Sequence, residues 1–158
     1  MIVRYPNQVL SKRTSDITVF DEELKQLVDQ MIGEMYAEGG IGLAAPQLGK
    51  SMSVAVVAYP GTDRENALVL VNPKLKMIGK RIPSKEGCLS LPGQTFNVSR
   101  FSSIEVTFRD VNGQEHRQSY DGDLAIVIQH EYDHLAGITL IERATLDRRM
   151  KSKGKNES

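Results

Sequence analysis

The chain of 158 residues falls in the size range of one domain, and a chain of this length buries most of its apolar surface without cross-links. Its single cysteine, Cys88, excludes an internal disulfide, no apolar run approaches the roughly 20 residues that span a membrane, and the opening MIVRYPNQVL lacks the regions of an export signal, so a soluble, cytoplasmic protein is expected. Twenty basic residues against twenty acidic ones give a net charge of zero, which argues against nucleic acid as the main partner.

The first strong element is DEELKQLVDQMIGEMYAE, residues 21–38. Leu24, Leu27, Val28, Met31, Ile32 and Met35 recur at the spacing of one helical face, and Asp21 is placed to cap the N-terminus. A core role for the two methionines is favoured over ligation. After a glycine-rich stretch, VAVVAY (54–59), ALVLVN (67–72) and LKMI (75–78) read as short strands separated by Pro and Gly turns. IEVTFRD and QEHRQSY flank the Asn112 and Gly113 pair and predict a hairpin. His116, among polar neighbours in the second of those strands, reads as a surface histidine.

Residues 123–136 contain the β-branched run LAIVI, yet fourteen residues without a turn signal are long for a strand. With Asp123 as an N-terminal cap and Gly137 as the C-terminal stop, the segment is predicted to be a helix buried on most sides. Beyond Gly137 the chain reads as a short strand and then, over 144–158, a charged and partly disordered tail. The expected architecture is one α+β domain over 1–143, with small antiparallel sheets packed around a central helix and a second helix near the N-terminus.

That central helix carries QHEYDHLAG, residues 129–137. His130 and His134 lie about one turn apart on one face, so both imidazoles can reach one ion, and Glu131 stands beside them, placed as a base. A catalytic site of this type needs a third protein ligand and an open position. The carboxylates beyond the helix, Glu142, Asp147 and Glu157, are poor candidates, whereas the thiol of Cys88 in KEGCLSLPG is a strong ligand for a divalent transition metal.

The stretch GGIGLAAPQLGKS is no nucleotide fingerprint. A helix precedes it where a strand is required, Pro46 interrupts the positions where a helix would have to open, and Ala44 stands where a P-loop needs glycine. Two readings stay open: a simple tight turn, or a place where another backbone approaches closely and Gln47 offers its side-chain amide.

Taken together, GIGLAAPQ (40–47), EGCLS (86–90) and QHEYDHLAG resemble the motifs of the peptide deformylases, in the same order, and the resemblance runs from the opening RYPNQVL to about residue 143. It implies removal of the formyl group from N-terminal formyl-methionine of newly made polypeptides, releasing formate. It implies metal ligation by Cys88, His130 and His134, general acid and base work by Glu131, and oxyanion donors in Gln47 and the backbone N–H of Leu89. The expected metal is Fe²⁺, with Ni²⁺, Co²⁺ or Zn²⁺ as substitutes. Gly42 and its neighbours would let the peptide lie alongside as an added strand, and Ile41, Ile126 and Val127 would wall the methionine pocket. A Glu86 and Arg100 pair would hold the Cys88 strand; Asp133 would orient a ligand histidine or cap the solvent side. The partners implied are N-formylmethionyl nascent peptides with transient ribosome contact, the protein itself being a monomer in a bacterial cytoplasm, from a chromosomal or a phage gene. Two other readings compete, a different metal-dependent amidase and a metal-stabilised binding protein; a purely structural site needs neither Glu131 nor Gln47.

Overall fold

Asp21 starts the first helix, α1 (Glu22–Ala37), by accepting a hydrogen bond from the Leu24 amide at 3.1 Å, and Glu22 and Glu23 complement the helix dipole in the first turn. The predicted stripe is the buried one: Leu24, Val28, Met31, Ile32 and Met35 face inward and Leu27 is partly buried. They meet Leu43, Val54, Val56 and Val71 of the sheet, where full burial of such a side chain is worth about 1.5–3 kcal/mol. The structure is a computed structural model that describes residues 1–58 and 66–157, with side chains to residue 150. The Tyr59 end of the predicted VAVVAY strand lies outside the described residues.

Five antiparallel strands form one sheet in sequence order: β1 (Gly42–Ala44), β2 (Val54–Val57), β3 (Leu68–Cys88), β4 (Leu91–Arg109) and β5 (Glu115–Asp121). The α+β class is as expected, but a single continuous sheet replaces several small ones. The reason lies in β3. ALVLVN and LKMI are not separate strands, because the chain does not turn at Asn72 and Pro73. Asn72 takes a left-handed step (φ 50°) that the sheet absorbs as a register shift between Val71 and Lys74. Its side chain compensates locally, accepting from Ile17 N and donating to Ile17 O, both at 2.8 Å. The predicted hairpin is present between β4 and β5, with Arg109 opposite Glu115 and Gly113 at φ 83°. There His116 stacks on Phe108 and bonds Asp110 at 2.8 Å, half-exposed.

The central helix, α2 (Gly122–Leu135), begins two residues earlier than expected: Asp121, not Asp123, is the N-cap residue, because Gly122 at φ 62° makes the bend out of β5. Gly137 ends it as predicted, at φ 78°, with Ile138 N bonded to Asp133 O at 2.8 Å. Gln129 docks the helix on β4. It accepts from Phe101 N at 2.9 Å and donates to Phe101 O at 2.8 Å, satisfying backbone groups just beyond the point where β5 stops pairing.

The segment after α2 corrects the expectation most. Where a short strand and a charged tail were expected, Leu140–Glu157 form a third helix, α3. Leu140 and Ala144 are buried against Leu91 and Val98, and Asp147 accepts the Ser99 amide at 2.8 Å, so a few anchors dock a helix whose composition is otherwise polar.

Candidate metal centre

Along β3 the inward positions alternate, with Ile82, Ser84, Glu86 and Cys88 more buried than the exposed residues between them. Glu86 and Cys88 therefore point to the same side, toward α2. A register shift between Glu86 and Cys88, where four residues of β4 (92–95) stand opposite the single Gly87, brings the strand end over the helix. Leu89 and Ser90 then make the turn, since Cys88 pairs with Leu91.

From α2, His130 and His134 rise on one face with ring centroids 5.1 Å apart. Ligand atoms of Cys88, His130 and His134 all lie within 4.8 Å of one another, and Cys88 Sγ is 3.3 Å from His134 Nε2. A tetrahedral ion with Zn-like bond lengths would set its ligand atoms roughly 3.3–3.6 Å apart, a spacing that the Cys88 and His134 pair already has. The donor set, one thiolate and two imidazoles, suits a divalent transition metal. His130 Nδ1 bonds Glu86 Oε1 at 2.9 Å, which leaves Nε2 for the site.

The electrostatics agree. Burial pushes His130 down, but hydrogen bonds to the Cys88 sulfur and the Glu86 carboxylate outweigh it and raise the pKa to about 10. A site that holds a proton so firmly is one in which a cation competes for the same nitrogen. His134 goes the other way: burial, then His130 and Arg100, hold it well below its ordinary value, so it stays neutral. Glu131, 3 % exposed, is raised to about 7 by burial, against the pull of His130 and Arg100. Its Oε1 is a buried polar atom without a hydrogen-bond partner, as in a site whose remaining contacts come from bound groups.

Gln47 sits in a 3-10 turn (Ala45–Leu48) after β1, 2 % exposed. Its Oε1 accepts the Ala44 amide at 3.0 Å, which fixes the flip of the amide group. Nε2 then faces Cys88 Sγ at 3.6 Å and Ser90 Oγ at 3.2 Å. Gly42 lies directly above Glu131: a Cβ there would overlap Glu131 Oε2 and stand 3.0 Å from Val127 Cγ1. A groove of about 1450 Å³ opens over the site and is lined by Ile41, Gly42, Gln47, Leu89, Ile126 and Val127, with Glu86, Cys88, His130 and Glu131 at its base. Ile41 stands at the rim, 63 % exposed.

Arg100 and His134 do not line the groove; they lie behind it. Arg100, 3 % exposed, forks onto Glu86 through Nε at 2.9 Å and Nη2 at 2.7 Å, and reaches Asp133 with Nη1 at 2.7 Å. Glu86 is held near pKa 2: burial pushes it up, and the bonds from Arg100 and His130 overcome that. Asp133 neither touches a ligand histidine nor faces solvent; it joins Arg100 to Arg143 of α3. Arg143 and Ser90 were not singled out from the sequence. Ser90 is inside EGCLS and its burial could be suspected there, but nothing local marks Arg143.

This fold and site define a class: an α+β protein with a candidate metal centre built from an HExxH helix, with a cysteine close enough to be the third donor. The family model of the polypeptide deformylases matches residues 1–150. The peptide deformylase of Wolinella succinogenes is 40% identical over 154 residues, 95% of this chain and 91% of that one, and that of Aquifex aeolicus is 42% identical over 146 residues, 90% and 85%. The crystal structure of peptide deformylase from Thermotoga maritima superposes with a TM-score of 0.86 at 35% identity, covering 90% of this chain and 95% of that one. The chain belongs to the polypeptide deformylase family.

Proposed function

We propose that this protein hydrolyses the formamide at the N-terminus of newly made polypeptides, releasing formate and the free amine of methionine. One observation carries the reading: Cys88, His130 and His134 converge beside a buried carboxylate, Glu131, and an oriented amide, Gln47, at the base of one groove. Cys88, His130 and His134 would hold a divalent cation, which would supply Lewis acidity toward the formyl oxygen and acidify water.

The remaining chemistry belongs to the chain. Glu131, with one oxygen buried and unpartnered and a pKa raised to about 7 by burial, takes the proton of the attacking water and returns it to the departing nitrogen. Gln47 Nε2 and the backbone N–H of Leu89, in the turn after Cys88, donate to the oxyanion; one such donor is worth about 2.7–4 kcal/mol. Among the described residues β1 is an edge strand of the sheet, so the substrate backbone adds to it at Ile41 and Gly42, and the methionine side chain packs against Ile41, Ile126 and Val127.

Fe²⁺ is the native metal in this reading, supported by a thiolate and imidazole donor set that iron, nickel, cobalt and zinc all accept. Because the substrate is a nascent chain, the protein works in the cytoplasm as a monomer in transient contact with the ribosome. The test is anaerobic loading with Fe²⁺ or Ni²⁺ and comparison of formate released from a formyl-Met peptide with amine released from its acetyl analogue. Formate from the first and little amine from the second is the expected result. Equal turnover would make it a general amidase, and no formate would overturn the reading.

A further inference from the structure

Behind the metal-binding residues lies an array of four charged side chains from four elements. Glu86 comes from β3, Arg100 from β4, Asp133 from α2 and Arg143 from α3. Arg143 sits in the first turn of α3, its own amide bonded to Thr139 O at 2.9 Å. Its guanidinium places Nη2 2.8 Å from Asp133 Oδ1 and Nε 3.0 Å from Asp133 Oδ2, a two-pronged contact. Asp133 Oδ2 also receives Arg100 Nη1, while the other two donors of Arg100 grip Glu86. Glu86 Oε1 in turn accepts from His130 Nδ1.

Two carboxylates and two guanidiniums balance in this array, and the balance depends on Arg143. Asp133 is 8 % exposed, and Arg100 alone would leave it one hydrogen bond. A buried carboxylate short of partners draws on the nearest cation. That cation is Arg100, whose turn toward Asp133 would loosen its grip on Glu86 and, with it, the bond that aims His130. Arg143 is not among the residues that line the groove, and its side-chain hydrogen bonds go to Asp133, not to Cys88, His130 or His134.

We propose that Arg143 is a positioning residue for the metal centre: by clamping Asp133 from α3 it keeps Arg100 on Glu86 and Glu86 on His130 Nδ1. This inference rests on the metal site of the proposed function. Partners that orient a ligating histidine typically carry 10–100-fold in metal affinity, and Arg143, one contact further out, is expected at about 10-fold.

The experiment uses the full chain loaded with Co²⁺, reading affinity by chelator competition and ligand field by visible absorption. Arg143→Met should weaken Co²⁺ binding about 10-fold and shift the absorption bands, lowering kcat with little change in KM, and Arg143→Lys should recover part of each. Leu140→Ala, which loosens the same turn of α3 without touching the array, should lower Tm and leave affinity and spectrum as in the wild type. Asp133→Asn with Arg143→Met should be no weaker than Asp133→Asn alone. Wild-type affinity and spectrum in Arg143→Met, or equal changes in Leu140→Ala, would overturn the proposal. If Arg143→Met does not fold, Arg143→Lys alone and with Asp133→Asn decides by the same criteria. Formate release by the wild type tests the functional reading separately, so the two can fail independently.

Discussion

Replacing Gly42 with Ala should separate catalysis from stability. The added methyl group would overlap Glu131 Oε2 and press on Glu131 Cδ and Val127 Cγ1, each at 3.0 Å. Glu131 is 3 % exposed and walled by α2 and β1, so it can only rotate away from the groove or push β1 outward. Overpacking of this kind costs about 1–3 kcal/mol, and because Gly42 has no positive φ the lost chain entropy of glycine returns about 0.4–1 kcal/mol. The net loss of stability is then on the order of 1–2 kcal/mol. Displacing a general base instead costs roughly 10²–10⁴-fold in rate, or about 3–5 kcal/mol. The assay is kcat on a formyl-Met peptide beside metal content and urea unfolding of the same preparation. A Gly42→Ala protein that is folded, fully metallated and within threefold of wild-type kcat would refute the reasoning that Glu131 needs this space.

Glu131→Ala should keep the metal by elemental analysis and lose about 10²–10⁴-fold in kcat, whereas Cys88→Ala should lose metal affinity; turnover persisting in the first would remove Glu131 as the base. In the metal-free protein Glu86 has its pKa lowered from 4.5 to about 2, so the unfolded chain takes up its proton first as pH falls. Its contribution, on the order of 3 kcal/mol, is therefore complete above about pH 4.5 and is lost on the way down to about pH 2. Glu86→Gln should flatten that part of the acid limb in urea titrations, and identical slopes would count against the assignment. Gly137→Ala combines a φ of 78° with backbone atoms of Ser11 and Lys12 at 2.7–2.9 Å, and should cost roughly 2–3 kcal/mol, a fall in Tm of about 5–10 °C by calorimetry. A Tm within 2 °C of wild type would show that the α2 end relaxes freely.

What could be read from the sequence was local. The stripe of α1, its Asp21 cap, the Asn112 and Gly113 hairpin and the pairing of His130 with His134 all depend on residues a few positions apart, where helix and strand periodicity decide who shares a face. What escaped depended on compensation at a distance. Asn72 and Pro73 look like a turn, but the Asn72 side chain holds Ile17 and lets the strand run on. The end of the chain looks like a solvated tail because few of its residues, Leu140, Arg143, Ala144 and Asp147 among them, dock it on the rest of the protein. Arg143 carried no signal, since one arginine among several in a charged segment becomes distinctive only when Asp133 is opposite it.

The same contrast explains how the centre is specified. The helix alone presents two imidazoles and a carboxylate, and any strand could supply a thiol. The binding atoms converge because alternation along β3 turns Glu86 and Cys88 to one side, so that the residue two positions before the thiol bonds His130. A slip of one residue in that strand would turn both outward, leaving Arg100 and His130 without Glu86. Burying the array therefore penalises the wrong register, since every misaligned pairing strands a charge that the native one neutralises. By this argument the charged residues behind the groove contribute less to net stability than to the uniqueness of the site, and α3 shares in that through Arg143.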